Sequence, residues 1–156
     1  MTASWDERLA SLWAALDTHP DFVADMEKLV AELPSDDPVG PFELASAYDS
    51  TGHPDRAVPL YRRALSLGLS EVRRRRAVIQ LASSLRNLGQ APQSVELLRA
   101  ELSAGSDELD DAVAAFLALA LTGVGRDREA VSVALTALAP HLPRYQRSLT
   151  NYAADL

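Results

Sequence analysis

The sequence predicts an all-α fold made of repeated helix hairpins. Three stretches, "STGHPDRAVPLYRRAL", "NLGQAPQSVELLRAEL" and "GVGRDREAVSVALTAL", share the pattern of a turn followed by an amphipathic helix. Their glycines, Gly52, Gly89 and Gly125, lie 37 and 36 residues apart. A period near 35 residues is typical of helical repeat arrays. The pattern therefore indicates one structural unit used several times rather than an isolated active site.

Small residues recur at fixed distances from these glycines and support the hairpin interpretation. Seven residues before them stand Ala45, Ala82 and Ala118, each after a leucine, and five residues after them stand Ala57, Ser94 and Ala130. Small side chains allow two helices to approach closely. Each glycine is expected to end the first helix of its hairpin in a left-handed conformation.

Composition limits the class of protein. A chain of 156 residues with 47% hydrophobic residues can bury a core as one folded domain. It has no cysteine, so packing alone must stabilise it, which suits a reducing cytoplasm. Asp6 and Glu7 are unlike the basic start of a signal peptide, and no apolar run approaches the roughly 20 residues of a membrane span. A net charge of −7 disfavours nucleic acid and anionic membranes as partners. We therefore expect a soluble, cytoplasmic protein.

The repeat positions resemble a known family. The first clear unit resembles the tetratricopeptide repeat, a helix hairpin of about 34 residues. The matching positions are Leu44, Ala45, Tyr48, Gly52, Ala57, Tyr61 and Ala64. The next two units fit with fewer aromatics and without the usual closing proline, at Leu81, Ala82, Leu85, Gly89, Ser94 and Leu98, then Leu117, Ala118, Leu121, Gly125, Ala130, Ala134 and Ala137. The resemblance implies a right-handed α-solenoid, and the length and closing helix are similar to small stand-alone bacterial members.

The repeat register predicts a single domain over residues 1–156 with about nine helices. Its parts are a divergent first hairpin at 4–37, three recognisable repeats at 38–71, 75–108 and 111–142, and a closing helix at 143–156. A capping box from Ser4 to Glu7 marks the first helix. In the closing helix, Tyr145, Leu149 and Tyr152 are expected to cover the last hairpin.

The run Arg73 to Arg76 has two interpretations. Four successive arginines on a helix point in directions about 100° apart, so they form no flat nucleic-acid patch. A shift by one repeat length instead places these arginines beside Asp36 and Asp37 of the preceding repeat and beside the acidic run at 107–111 of the following repeat. An inter-repeat row of ion pairs is the favoured interpretation, with an anion-binding patch as the alternative.

The sequence contains no pattern typical of a catalytic, cofactor or metal site. Gly123 and Gly125 follow a helix, whereas phosphate-binding glycine loops follow a strand. His19, His53 and His141 lie in turns without a ligand partner four residues away. No nucleophile motif is present. We therefore expect a protein that is not an enzyme and that binds no cofactor or metal.

The resemblance implies that the first helix of each hairpin lines a concave groove that binds a peptide or protein segment. The candidate groove residues are Glu43, Ser46, Asp49, Ser50, Arg76, Gln80, Ser83, Asn87, Phe116, Leu119 and Thr122. Arg76, Gln80, Ser83 and Asn87 are spaced by 4, 3 and 4 residues, which places them on one helix face. The partner's identity stays open. The alternative function is self-association as a homodimer, through Trp5 and Trp13 or through Tyr145 and Tyr152.

Overall fold

The computed structural model describes residues 3–156, with the backbone but not the side chain of Glu71. Over these residues it contains nine α-helices and no strand. The helices are α1 (Trp5–Ala14), α2 (Phe22–Val30), α3 (Val39–Ser50), α4 (Pro54–Ser66), α5 (Glu71–Asn87), α6 (Ala91–Ala104), α7 (Asp110–Thr122), α8 (Asp127–Leu138) and α9 (Gln146–Ala154), with a 3₁₀ turn at Ala139–His141 before α9. The predicted all-α class and the number of helices are confirmed.

The chain forms two compact units, residues 1–77 and residues 78–156, which we call unit 1 and unit 2. In unit 1, consecutive helices from α1 to α4 pack on one another, and in unit 2 the same holds from α6 to α9. The boundary falls inside α5. The first hairpin of unit 1 closes around Leu9, Phe22, Met26, Leu29 and Ala47, whereas unit 2 is centred on Val95, Leu98, Val113, Leu117 and Leu121. The single domain and its repeat boundaries stay predictions.

The three repeat glycines end their helices in the same way. Gly52, Gly89 and Gly125 have φ angles of 82°, 78° and 76°. The amide that follows each glycine donates back to a carbonyl five residues earlier, at 2.8 Å, 2.8 Å and 2.9 Å. This is the six-to-one hydrogen bond of a Schellman motif, which satisfies a carbonyl that the helix end would leave unpaired. The prediction of left-handed glycine caps is confirmed.

Local signals at helix starts also agree with the sequence. Ser4 Oγ accepts from the Glu7 amide at 3.2 Å, and Glu7 Oε2 accepts from the Ser4 amide at 2.7 Å, which completes the capping box. Pro54 and Pro92 occupy the first turns of α4 and α6, where a missing N–H leaves no bond unmade. Pro59 lies inside α4 on its exposed side.

The Gly-x-Gly of unit 2 serves the packing of α6 on α7. A β-carbon on Gly123 would lie 2.8 Å from Cβ of Ala91 at the start of α6. Such a distance is below van der Waals contact, so glycine is required for the two helices to approach this closely. Gly125 then provides the left-handed cap. Gly125 thus ends the helix as expected, whereas the packing role of Gly123 was not anticipated from the sequence.

The closing helix α9 packs differently from the expectation. Tyr145 and Tyr152 are 76% and 70% exposed, so the prediction that they cover the last hairpin is wrong. The small side chain of Ala153 is buried instead, and Ser132 Oγ of α8 donates to the Ala153 carbonyl at 2.6 Å. This close contact turns Tyr152 away from α8. Tyr145 precedes the helix with a left-handed φ of 70°, which also directs it to solvent.

No helix in the described part of the chain is both long enough and apolar enough to cross a bilayer.

Candidate functional site

A buried carboxylate joins three helices of unit 1. Glu43 of α3 is 7% exposed. Its Oε2 accepts a hydrogen bond from the indole Nε1 of Trp13 on α1 at 2.9 Å, and its Oε1 lies 4.0 Å from Nε of Arg73 on α5. Glu43 thus has one firm hydrogen bond and one loose ion pair. We call Trp13, Glu43, Arg73 and Arg76 the carboxylate cluster.

The environment of Glu43 affects its proton affinity. Burial raises the pKa of the Glu43 carboxyl above its ordinary value, while the hydrogen bond from Trp13 and the charges of Arg73 and Arg76 oppose that rise. Desolvation is the largest of these effects because a buried carboxylate loses much of its hydration. The proton affinity of Glu43 is therefore sensitive to the loss of its hydrogen-bond donor.

Arg76 lies on the surface of unit 1, and the ring of Phe42 holds its guanidinium in position. Its guanidinium carbon is 5.5 Å from the centre of the Phe42 ring, a cation–π contact that holds the side chain in place. Phe42 is fully buried and packs against the equally buried Tyr61. Arg76 is exposed, and within the described part of the chain its guanidinium makes no hydrogen bond. It can therefore donate to an anionic or carbonyl oxygen of a partner.

The other candidate residues of unit 1 differ in exposure. Glu43 and Ser46 are buried, and Ser46 Oγ donates to the Phe42 carbonyl at 3.0 Å. Asp49 is half-buried and accepts a long hydrogen bond of 3.5 Å from the Tyr61 hydroxyl, whereas Ser50 is exposed. Burial also raises the pKa of Tyr61 well above its ordinary value, so Tyr61 stays protonated as a donor. Only Asp49 and Ser50 of these four thus offer surface to a partner.

The candidate residues of unit 2 lie on α5 and α7. On α5, Gln80 and Ser83 are half-buried and Asn87 is exposed, while Leu81, Ala82 and Leu85 on the other side are buried. Leu88, which follows the end of α5, is 38% exposed. The three residues on α7 are a half-buried Phe116 that packs on the unit 2 core, a 47% exposed Leu119, and Thr122, whose hydroxyl donates to the Leu119 carbonyl at 2.7 Å.

Sequence reasoning missed two members of the carboxylate cluster. It assigned Trp13 to the alternative homodimer contact, but the indole Nε1 donates to Glu43, thirty residues away in the sequence. It paired Arg73 with Asp36 and Asp37, whereas the described ion pair of Arg73 is with Glu43. Asp37 instead caps the start of α3, where its Oδ1 accepts a hydrogen bond from the Val39 amide at 2.8 Å. The separation of three residues between Arg73 and Arg76 was the available signal that both face α3. The predicted pairing with residues 107–111 stays a prediction.

The histidines make ordinary surface contacts. His19 Nε2 lies 2.8 Å from Asp25 Oδ2, and His141 Nε2 lies 2.7 Å from Asp111 Oδ2. Within the described residues, no group of three or more His, Asp or Glu side chains is arranged to hold a metal ion.

Comparison with known proteins identifies the repeat. A family model described as "Tetratrico peptide repeat" matches residues 38–156. Because the match covers most of the chain, the protein belongs to the tetratricopeptide repeat family. Repeats of this family generally serve as protein-interaction modules and are typically non-catalytic. No curated protein and no solved structure matches the chain at a significant level.

Proposed function

We propose that this protein is a non-catalytic module that binds a peptide or protein segment, and that Arg76 is a main contact. The observation that carries the proposal is the exposed guanidinium of Arg76, held over the Phe42 ring at 5.5 Å with its hydrogen-bond donors unused among the described residues. A positioned arginine loses little side-chain entropy when it binds a carboxylate or a carbonyl. It is therefore a favourable contact for the main chain or an acidic group of a partner.

The polar residues of α5 in unit 2 support the same proposal independently. Gln80, Ser83 and Asn87 follow one another at helical spacing and keep at least part of their surface accessible. Amide and hydroxyl side chains can both donate to and accept from the backbone of an extended peptide. A row of such groups provides hydrogen bonds without the high desolvation cost of charged groups. Asn87 is the most accessible of the three and is the residue to test.

Replacing Arg76 and Asn87 by alanine together should weaken partner binding at least tenfold. A hydrogen bond to a charged group contributes about 1.5–3 kcal/mol, and about 1.4 kcal/mol corresponds to tenfold in affinity. The partner is first captured from a lysate of the source cell with the wild-type protein. Its affinity for the wild-type protein and for the double variant is then measured by calorimetry with purified components.

A matched control removes the same two side-chain types elsewhere. Arg147 and Asn151 are exposed on α9, so their double alanine variant loses equal charge and amide content outside α5. This control should bind as the wild type does. If the Arg76→Ala/Asn87→Ala variant binds the partner with the same affinity as the wild type, α5 is excluded as the binding face. If the test variant and the α9 control variant lose the same amount of affinity, binding depends on the overall charge of the protein.

Self-association is the second function that an observation favours. Unit 2 exposes Tyr145, Tyr152, Leu138, Val131 and Leu156, each at 42% or more. The Trp5 indole donates to the Leu29 carbonyl, and the Trp13 indole donates to Glu43, so both rings make contacts within unit 1. Of the two aromatic pairs expected at a homodimer contact, Tyr145 and Tyr152 are therefore the pair that stays exposed.

If the protein forms a homodimer, light scattering should give twice the mass of 16.9 kDa at high concentration. The Tyr145→Ser/Tyr152→Ser variant should then return to the monomer mass, and a monomeric wild type would contradict this function.

A further inference from the structure

Unit 1 contains a pocket between α2, α3 and α4, apart from the residues proposed above for partner binding. Its volume is about 310 Å³. The aliphatic wall of the pocket is formed by side chains that are only half-buried, namely Val30, Leu33, Pro41, Leu44 and Leu60. Pockets for drug-sized ligands start at about 300 Å³. The pocket therefore suits a small ligand that carries an aliphatic group.

The α2 side of this pocket carries a carboxylate with a free oxygen. Glu27 is exposed and lines the pocket. Its Oε1 accepts a hydrogen bond from the Tyr48 hydroxyl, and its Oε2 makes no hydrogen bond within the described part of the chain. Arg56 Nη1 donates to the Tyr48 hydroxyl at 3.2 Å and not to the carboxylate. Tyr48 thus holds the Glu27 carboxylate in place, while no cation among the described side chains pairs with it.

The α4 side of the pocket carries a guanidinium with free donors. Arg63 is exposed and lines the same pocket. Its Nη2 donates to the Ser35 carbonyl at 3.0 Å, which fixes the guanidinium beside the loop between α2 and α3. For the residues that the structure describes, this is the one hydrogen bond of the Arg63 side chain, so Nε and Nη1 keep their donors for a ligand.

These two opposite charges are not paired with each other. Among the described side chains, no ion pair joins Glu27 to Arg63, although both line one pocket. Helix α3 packs against both α2 and α4 and contributes Pro41 and Leu44 to the aliphatic wall. Charge complementarity therefore favours a ligand that carries a positive and a negative group together. Such a ligand also needs an apolar group to cover the wall.

We propose that this pocket binds a free α-amino acid with a branched aliphatic side chain, such as leucine. Its ammonium group donates to Glu27 Oε2, its carboxylate accepts from Arg63, and its side chain packs against the aliphatic wall. An alkylamine would leave the donors of Arg63 unused, and an aliphatic carboxylate would leave Glu27 without a cation. The site goes beyond the proposed function, because its ligand is a small molecule and it shares no residue with α5.

Four ligands test the proposal by NMR titration of the ¹⁵N-labelled full chain at about pH 6.5, where a free α-amino group is protonated. They are leucine, leucinamide without the carboxylate, acetyl-leucine without the ammonium group, and alanine without the branched side chain. Leucine should shift the amide signals of Gly40 and Ala31 saturably, because both residues line the pocket. We expect a dissociation constant of about 1 mM for so small a ligand. Each of the other three should bind about tenfold more weakly, since each lacks one recognised group.

Two variants test the charged contacts separately. Arg63→Gln should bind leucine no better than leucinamide, and Glu27→Gln should bind leucine no better than acetyl-leucine. Glu27→Gln keeps a side-chain oxygen that can accept from Tyr48, so the variant loses the charge and not the hydrogen bond. The control variants Arg147→Gln and Glu108→Gln remove the same charges at exposed positions of unit 2 and should bind all four ligands as the wild type does. Circular dichroism confirms that each variant is folded.

Several outcomes would overturn the proposal. One is the lack of a saturable shift at Gly40 with leucine at up to about 10 mM, tenfold above the expected dissociation constant. Equal binding of leucine and leucinamide would remove the contact with Arg63, equal binding of leucine and acetyl-leucine would remove the contact with Glu27, and equal binding of leucine and alanine would remove the aliphatic wall. The same loss in the control variants would assign binding to the net charge. None of these results bears on the Arg76→Ala/Asn87→Ala comparison, because both the ligands and the residues differ.

Discussion

Replacing Phe42 by alanine should lower the free energy of unfolding by about 3–5 kcal/mol, the range for removing a fully buried ring. Phe42 has no exposed surface, and its ring centre lies 6.4 Å from that of Tyr61 at an interplanar angle of 55°. The variant loses the apolar burial and leaves a cavity beside Tyr61, and Arg76 loses the ring beneath it. Urea denaturation of the intact chain, followed by circular dichroism, measures the change.

The Phe42→Leu variant separates packing from the contact with Arg76. Leucine keeps most of the buried volume, so the loss of unfolding free energy should be clearly smaller than in Phe42→Ala. The cation–π contact disappears in both variants and contributes only about 0.5–1 kcal/mol at an exposed site. A Phe42→Ala loss below about 1 kcal/mol would contradict the central position of Phe42 in unit 1.

The hairpin repeat was predictable because its determinants are local. Gly52, Gly89 and Gly125 each need a left-handed backbone that other residues adopt at a cost, so their spacing marks the helix ends directly. Ser4 and Glu7 form a cap over three residues, with no contribution from the rest of the chain. Such signals depend on the neighbours in sequence, and the sequence displays them in full.

The carboxylate cluster was harder to predict because it depends on packing between distant residues. Glu43 has an ordinary position for a solvated helix carboxylate, and only the docking of α1 places the Trp13 indole 2.9 Å from it. The same limit explains the error at α9. Periodicity places Tyr152 near Leu149, but the choice of the face that meets α8 depends on the close fit of Ala153. Small rotations of a short helix exchange buried and exposed residues without changing the sequence pattern.

Replacing Trp13 by alanine should lower the free energy of unfolding by about 3 kcal/mol, at the lower end of the range for a large aromatic because Trp13 is half-buried. Its ring packs 5.2 Å from the Phe22 ring, and its Nε1 donates to Glu43. The variant loses both contacts and leaves Glu43 without its hydrogen-bond donor. Urea denaturation of the intact chain gives the value, and a loss below about 1 kcal/mol would contradict the contacts of Trp13 with Phe22 and Glu43.

The Trp13→Phe variant isolates the hydrogen bond through its dependence on pH. Burial already raises the folded-state pKa of Glu43, and removing the Trp13 donor, which lowers it, should raise this pKa further. A group whose folded pKa is raised stabilises the fold below its unfolded pKa of about 4.3, and that stabilisation is lost as the pH rises through the folded pKa. Trp13→Phe should therefore lose more unfolding free energy relative to the wild type at about pH 7 than at about pH 4. The same substitution in a Glu43→Gln background should show a difference that does not change with pH, because the titrating carboxyl is absent. A pH-dependent difference that persists in that background would assign the effect to another group.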